Sequence, residues 1–138
     1  MLSCARVLLI SSNEVEASAL EGILREEASL QSVRNISELQ AALAKGGYDA
    51  VFCGWSFQRG TWLDALKEAQ QRRPNLPVII FSRTGGEREW LEVIEAGAFD
   101  LLTAPYVKRH VLPVLEHAVL AGRLPNNNGS YSSSEWAN

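Results

Sequence analysis

Short apolar runs alternating with helix-period stretches leave this chain few folds to adopt. Residues 6–10 (RVLLI), 49–53 (DAVFC) and 77–81 (PVIIF) have strand length and are apolar almost without interruption. That is the pattern of strands buried on both faces, not of strands with one side in water. Between the runs, apolar residues recur at intervals of three and four. Val15, Ala19, Leu20, Ile23 and Leu24 mark a helix over 14–27, entered through Ser11, Ser12 and Asn13, whose short polar side chains suit an N-cap. Ile36, Leu39, Ala42 and Leu43 mark a second, stopped by Gly46 and Gly47. Trp62, Leu63, Leu66 and Ala69 mark a third. It ends ahead of Pro74 and Asn75, with Arg72 and Arg73 in its last turn, where cations complement the helix dipole. Residues 87–96 read as a fourth, with Leu91 and Ile94 facing the core and Gly97 as the stop. Residues 107–120 read as a fifth, with Val111, Leu112, Leu115 and Val119 on one side and Pro113 as a point of kinking. With short strands over 29–33 and 99–103, and loops at 56–60 and at Gly85-Gly86, the chain alternates five strands with five helices. The expected architecture is a three-layer α/β/α domain around a doubly wound parallel sheet, its crossovers right-handed.

A length of 138 residues suits one domain. We place that domain at 1–122 and a flexible tail or linker at 123–138, where Asn and Ser dominate and Tyr131 and Trp136 are the large hydrophobes. A net charge of -3 gives no reason to expect nucleic acid through this domain. The apolar run after Met1 is too short for a signal peptide or a membrane span, so a soluble, cytoplasmic protein is expected. Cys4 and Cys53 lack metal-ligand spacing and read as reduced thiols. His110 and His117, seven residues apart, read as surface residues. Gly85-Gly86 lacks the Lys-Ser or Lys-Thr of a phosphate-binding loop. No grouping of nucleophile, base and orienting residue appears, so no enzyme activity, metal or cofactor is expected.

Three stretches then become informative together: Tyr48 to Gly54 (YDAVFCG), Pro74 to Ser82 (PNLPVIIFS) and Glu95 to Pro105 (EAGAFDLLTAP). In this order the chain, over residues 5–121, resembles the receiver domain of two-component response regulators. The resemblance implies a flavodoxin-like (CheY-like) fold with strand order 2-1-3-4-5 and a functional site at the carboxyl ends of the strands. In that family, acidic residues after strand one and an acceptor aspartate after strand three hold Mg²⁺. A hydroxyl after strand four and a lysine after strand five contact the phosphoryl group. Here the corresponding positions are Ser11 and Ser12, Gly54, Ser82 and Ala104. Only the hydroxyl survives. Gly54 has no side chain to form an acyl phosphate, and two serines do not supply the carboxylates that a hard cation requires. Both signs of charge are missing together, which leaves a neutral pocket and no unpaired buried ion. The aromatic of the family's switch relay is replaced by Leu101, with Phe99 two residues earlier, and both read as packing residues. The resemblance also implies a cis peptide bond before Pro105.

The implied function is a phosphorylation-independent pseudo-receiver that acts by protein–protein contact, with a histidine kinase, another receiver, an output domain or itself as partner. The alternative is a small-ligand or anion sensor using the neutral pocket near Ser11, Gly54 and Ser82. Trp55, Phe57 and Tyr106, from loops at one end of the sheet, either fill the vacated space or offer a partner surface. Trp90, Glu92, Glu95, Lys108 and Arg109 sit on the helix 4–strand 5–helix 5 face that the family uses for dimers and partners. Asp49 and Asp100 are set aside as substitute acceptors, the first at the far end of its strand and the second facing solvent or a helix end.

Overall fold

The computed structural model describes residues 5–123, so Cys4 and the proposed tail from residue 124 lie outside it. The elements in chain order are β1 (Arg6–Ile10), α1 (Glu14–Leu24), β2 (Ser29–Val33), α2 (Ile36–Lys45) and β3 (Ala50–Gly54). After a small hairpin come α3 (Trp62–Arg72), β4 (Val78–Ser82), α4 (Glu87–Ala96), β5 (Asp100–Thr103) and α5 (Lys108–Arg123). The five strands form one parallel sheet in the order β2-β1-β3-β4-β5. This is the doubly wound, flavodoxin-like topology, with β1 and β3 side by side where the winding reverses.

Alternation of side chains along the central strands divides the core in two. Leu8, Ile10, Val51, Cys53, Val78 and Ile80 point toward α2, α3 and α4, against Leu39, Leu43, Leu66 and Val93. Val7, Leu9, Phe52, Ile79 and Phe81 point the other way, against Leu20 and Leu24 of α1 and Val111 and Leu115 of α5. Both faces are covered, which is why these strands carry no polar alternation. β2, at the sheet edge, buries Val33 but exposes Ser29, Gln31 and Ser32.

Several boundaries and faces differ from the sequence reading. α1 stops at Leu24, and residues 25–28 fold back in turns, with the Ala28 amide on the Leu24 carbonyl at 2.9 Å. Val15 is 81% exposed and Ala19 is also outside, because the inward stripe of α1 runs through Leu20 and Leu24. On α4 the inward residue is Val93; Leu91 is 45% exposed, one residue off the stripe set by Trp90, Val93 and Ile94. Leu63 likewise faces out on α3, where Trp62, Ala65, Leu66 and Ala69 are buried. Phe99 precedes β5 and is not part of it. The expected loop at 56–60 contains an antiparallel hairpin that pairs Ser56–Phe57 with Gly60–Thr61. α5 runs on through Pro113 to Arg123. No helix among the described residues is long and apolar enough to cross a membrane.

Candidate functional site

The carboxyl edge of the sheet gathers the positions that the sequence reading singled out. Ser11 follows β1, Gly54 and Ser82 end β3 and β4, and Ala104 follows β5. Backbone bonds fix their spacing. The Ser11 amide donates to the Val33 carbonyl at 3.1 Å, the Trp55 amide to Phe81 at 2.9 Å and the Ala104 amide to Ser82 at 3.2 Å. Ser11 and Ser82 are buried, whereas Ser12 and Ala104 are exposed. The Ser11 hydroxyl is occupied locally, accepting from the Asn13 amide at 3.1 Å and donating to the Asn13 carbonyl at 3.4 Å. It therefore braces the turn into α1, whose first turn Asn13 caps through Glu16 N at 3.0 Å.

One aromatic ring, that of Phe81, borders Gly54. A β-carbon at Gly54 would stand 3.5 Å from Phe81 Cζ, 3.5 Å from the Ser56 carbonyl oxygen and 3.6 Å from that of Ile10. Phe81 in turn meets Tyr106 edge to face, ring centroids 5.8 Å apart. The Tyr106 hydroxyl donates to Glu16 Oε2 at 2.9 Å, so the β5–α5 loop is tied to the first turn of α1 across the strand ends. Burial, followed by the hydrogen bond to Glu16, pushes the Tyr106 hydroxyl well above its ordinary range, and it stays a donor. The Ala104–Pro105 peptide is cis.

On the other side of the sheet, Trp55 leans on Trp62, centroids 5.6 Å apart and rings tilted 40°. Phe57 is buried, so of the two readings of it, filling space or meeting a partner, the structure agrees with the first. Its ring closes the hairpin: a β-carbon at Gly60 would fall 2.7 Å from Phe57 Cε1, which is why the turn ends in glycine. Trp55, Phe57 and Tyr106 do not form one aromatic patch. The first two pack with the α2–α3 core and the third with the α1–α5 core. Burial, then the nearby Asp64 carboxylate, drives the Cys53 thiol far above the thiol range, so it behaves as an inert core residue.

The face formed by α4, β5 and α5 presents Glu92, Glu95 and Arg109 to solvent. Lys108 is paired with Glu26 at 2.5 Å, both side chains at least half exposed, and that pair raises the Lys108 pKa. Trp90 is only half exposed. Its indole nitrogen donates to Asp100 Oδ1 at 3.2 Å, and that same oxygen accepts the Leu101 amide at 2.8 Å. Asp100 is thus buried and does not face solvent or a helix end; its partner comes from α4, ten residues earlier. Asp49 sits at the opposite end of the sheet and accepts from the Arg6 amide at 2.8 Å.

The donor set at the strand ends does not fit a hard divalent cation, which calls for carboxylate and other oxygen ligands. Among the described residues, no group of three His, Cys, Asp or Glu is placed to hold a metal ion. The Glu16 carboxylate, in the first turn of α1, is engaged by Tyr106. A cleft of about 350 Å³ beside the site is lined by Ser11, Ser12, Ser18, Ser32, Glu14 and Arg34, and it is not lined by Gly54 or Ser82. Its charges are spoken for within the chain: Arg34 pairs with Glu14 at 3.0 Å, and Ser32 donates to Glu21. Phe81 and Glu16 are site residues that nothing in the sequence singled out. Each matters through a contact distant in sequence.

Comparison with known proteins decides the family. The model of the response regulator receiver domain matches residues 7–116. The chain belongs to the response regulator receiver domain family. As a receiver domain it is 32% identical over 81 residues to the response regulator protein PilR of Pseudomonas aeruginosa, across 59% of this chain and 18% of that one. It is 28% identical over 118 residues to the hydrogenase transcriptional regulatory protein HoxA of Cupriavidus necator, across 85% of this chain and 24% of that one. The receiver therefore spans only 18% and 24% of the length of these relatives. Among solved structures, the non-phosphorylated HemR receiver domain of Leptospira biflexa matches with a TM-score of 0.72 at 21% identity, covering 84% of this chain and 94% of that one. NtrX of Brucella abortus, in complex with ADP, matches at 0.79 and 24% identity, covering 86% and 28%. These two likenesses concern the fold.

Proposed function

We propose that this receiver domain is a pseudo-receiver, which signals by docking and not through an acyl phosphate. The observation that carries the reading is the state of the strand ends. Gly54 stands where the acceptor carboxylate belongs, the Phe81 ring borders it and packs on Tyr106, and Ala104 supplies no cation. Phosphoryl transfer needs a nucleophile and positive charge to meet the transferred group; Gly54 supplies no nucleophile, and Ala104 no charge. On this reading the domain is not an enzyme, works in the cytoplasm and makes no nucleic-acid contact of its own. Its partner is a histidine kinase, another receiver, an output domain or a second copy, and the α4–β5–α5 face, with Trp90, Glu92, Glu95 and Arg109, is where contact is made.

The test is direct. Acetyl phosphate, or beryllofluoride, is added with Mg²⁺ while backbone amide resonances are followed. Ser11, Gly54 and Ser82 should show no saturable shift, and no phosphorylated species should appear by mass. A saturable shift centred on those three residues would end the proposal. The cleft at Ser11 and Ser12 favours a second reading, a sensor of a small polar ligand. A metabolite screen that raises the melting temperature dose-dependently, with shifts mapping to Ser18, Ser32 and Arg34, would support that reading over docking alone.

A further inference from the structure

The parallel sheet ends on one side at β2, and that edge lacks the usual protection. β2 pairs with β1, and no described strand lies beyond it. Edge strands are commonly blunted by lysine, proline or a bulge. Residues 29–33 (SLQSV) contain neither lysine nor proline, and they follow β1 residue for residue without a bulge. Two bonds show which peptide groups look outward. The Ser29 amide donates to the Ala5 carbonyl at 2.9 Å, and the Val33 carbonyl accepts from the Ser11 amide at 3.1 Å. Ser29, Gln31 and Val33 therefore turn their peptide groups toward β1, and Leu30 and Ser32, between them, turn theirs away. On the outer side a side chain is the substitute for a strand: Gln31 Nε2 donates to the Ser32 carbonyl at 3.4 Å. The outward ladder is bounded at both ends. The Ala28 amide is taken by the Leu24 carbonyl at 2.9 Å, and the Arg34 amide by Glu38 Oε1 at 2.8 Å.

The outward amides and carbonyls of Leu30 and Ser32 form a self-complementary set. A two-fold axis at Gln31 brings Leu30 of one copy opposite Ser32 of the other in antiparallel order, where the two residues exchange both bonds. Gln31 then faces its own counterpart. The exposed Arg34 arrives opposite Ala28 and beside Glu27, at each end of the ribbon. α1 leaves room for this approach. Ser18 lines the same cleft as Ser32, and Gly22 stands one turn further along α1, where a β-carbon would meet nothing within 4 Å. A glycine inside a helix lowers its stability, and nothing in the chain crowds this one.

We infer that the β2 edge is a docking surface for a second copy of this chain, which joins antiparallel through β2 so that two five-stranded sheets become one. The contact is small and made largely of neutral backbone bonds, so it is weak. It fills at about millimolar chain, the effective concentration reached when one partner holds two copies. It uses no residue of the α4–β5–α5 face, and it stands whether or not the domain docks there or takes up a phosphoryl group.

The experiment follows backbone amide resonances of the full chain from about 0.05 mM to about 2 mM, a range that brackets that effective concentration. Amides of Leu30 and Ser32 should shift with concentration, while those of Leu91 and Arg109 stay in place. Gln31 is exposed, so its replacement leaves the fold intact. Gln31→Lys sets two like charges face to face on the axis, and Gln31→Glu does so with the opposite sign, so each alone should weaken the pairing at least about tenfold. An equimolar mixture of the two variants sets lysine against glutamate and should restore the shifts, which a role of Gln31 within one chain would not do. Static Leu30 and Ser32 amides up to about 2 mM, shifts that survive Gln31→Lys unaltered, or a mixture that pairs no better than its components would each overturn the inference.

Discussion

Gly54 shows what one missing side chain does to a site. A β-carbon fits there at ordinary contact distance, so Gly54→Asp should fold. Its carboxylate, however, would enter a space bounded by the Phe81 ring and the carbonyls of Ile10 and Ser56. We expect Gly54→Asp to lose about 1–3 kcal/mol of stability at neutral pH, read as a lower urea midpoint, and to remain unlabelled by acetyl phosphate. Stable labelling of that single variant would show that the missing aspartate was the whole defect. Tyr106→Phe removes one partly exposed hydrogen bond to Glu16 and leaves the ring on Phe81, so about 1 kcal/mol should be lost, without change in fold. A loss no larger than the scatter of the urea midpoints would mean that the Tyr106–Glu16 tie contributes nothing. Asp100 makes the matching case for a residue that is present but hidden. Desolvation is the largest influence on it and lifts its carboxyl above the ordinary 3.8, against the opposing bonds from Leu101, Trp90 and the field of His117. Between the unfolded value and the raised folded value, the native state binds more protons than the unfolded chain. Stability should therefore rise as pH falls through that window, and Asp100→Asn should flatten the slope. Identical slopes for the two proteins, in urea midpoints measured across the acid range, would refute the assignment.

Among elements, legibility followed burial on both faces. β1, β3 and β4 were legible because a strand covered on both sides has no polar alternation, and their order was what the receiver resemblance implied. Edges and thin helices were harder. β2 exposes most of its residues, so its five positions carry little periodic signal. On α4 the sequence offered Leu91 and Ile94 as core residues; Ile94 packs against the core, whereas Leu91 is 45% exposed. The helix buries Val93, packs Ile94 against the core and sends the Trp90 indole to Asp100 on the next strand. Two-residue strands such as Ser56–Phe57 leave no periodicity to detect, which is why the sequence left Phe57 open between a filler and a partner surface when it is a buried plug. The site positions Ser11, Gly54, Ser82 and Ala104 were legible because each falls at a strand end. The tie between Glu16 and Tyr106 was not, since its partners lie ninety residues apart.

At the scale of the molecule, charge is divided between the two helices that flank β5. α4 carries Glu87, Glu92 and Glu95 against Arg88 on its exposed positions, and the first turn of α5 carries Lys108, Arg109 and His110. A two-fold axis on this face would set the acidic helix of one copy against the basic turn of the other, with Leu91 exposed between them. If the docking partner is a second copy, association should be electrostatic in origin and sensitive to salt. Raising ionic strength from about 0.1 M to about 1 M shortens the screening length from about 10 Å to about 3 Å, which would dissociate such a pair, whereas an apolar contact would hold or tighten. Sedimentation equilibrium at both salts should then give a concentration-dependent dimer only at the lower, and Arg109→Glu should abolish it there. Lys108 is the poorer choice for reversal, because its pairing with Glu26 would mix an effect on α1 into the result. A monomer at every concentration in low salt removes the second copy as occupant of this face and leaves it to a different protein.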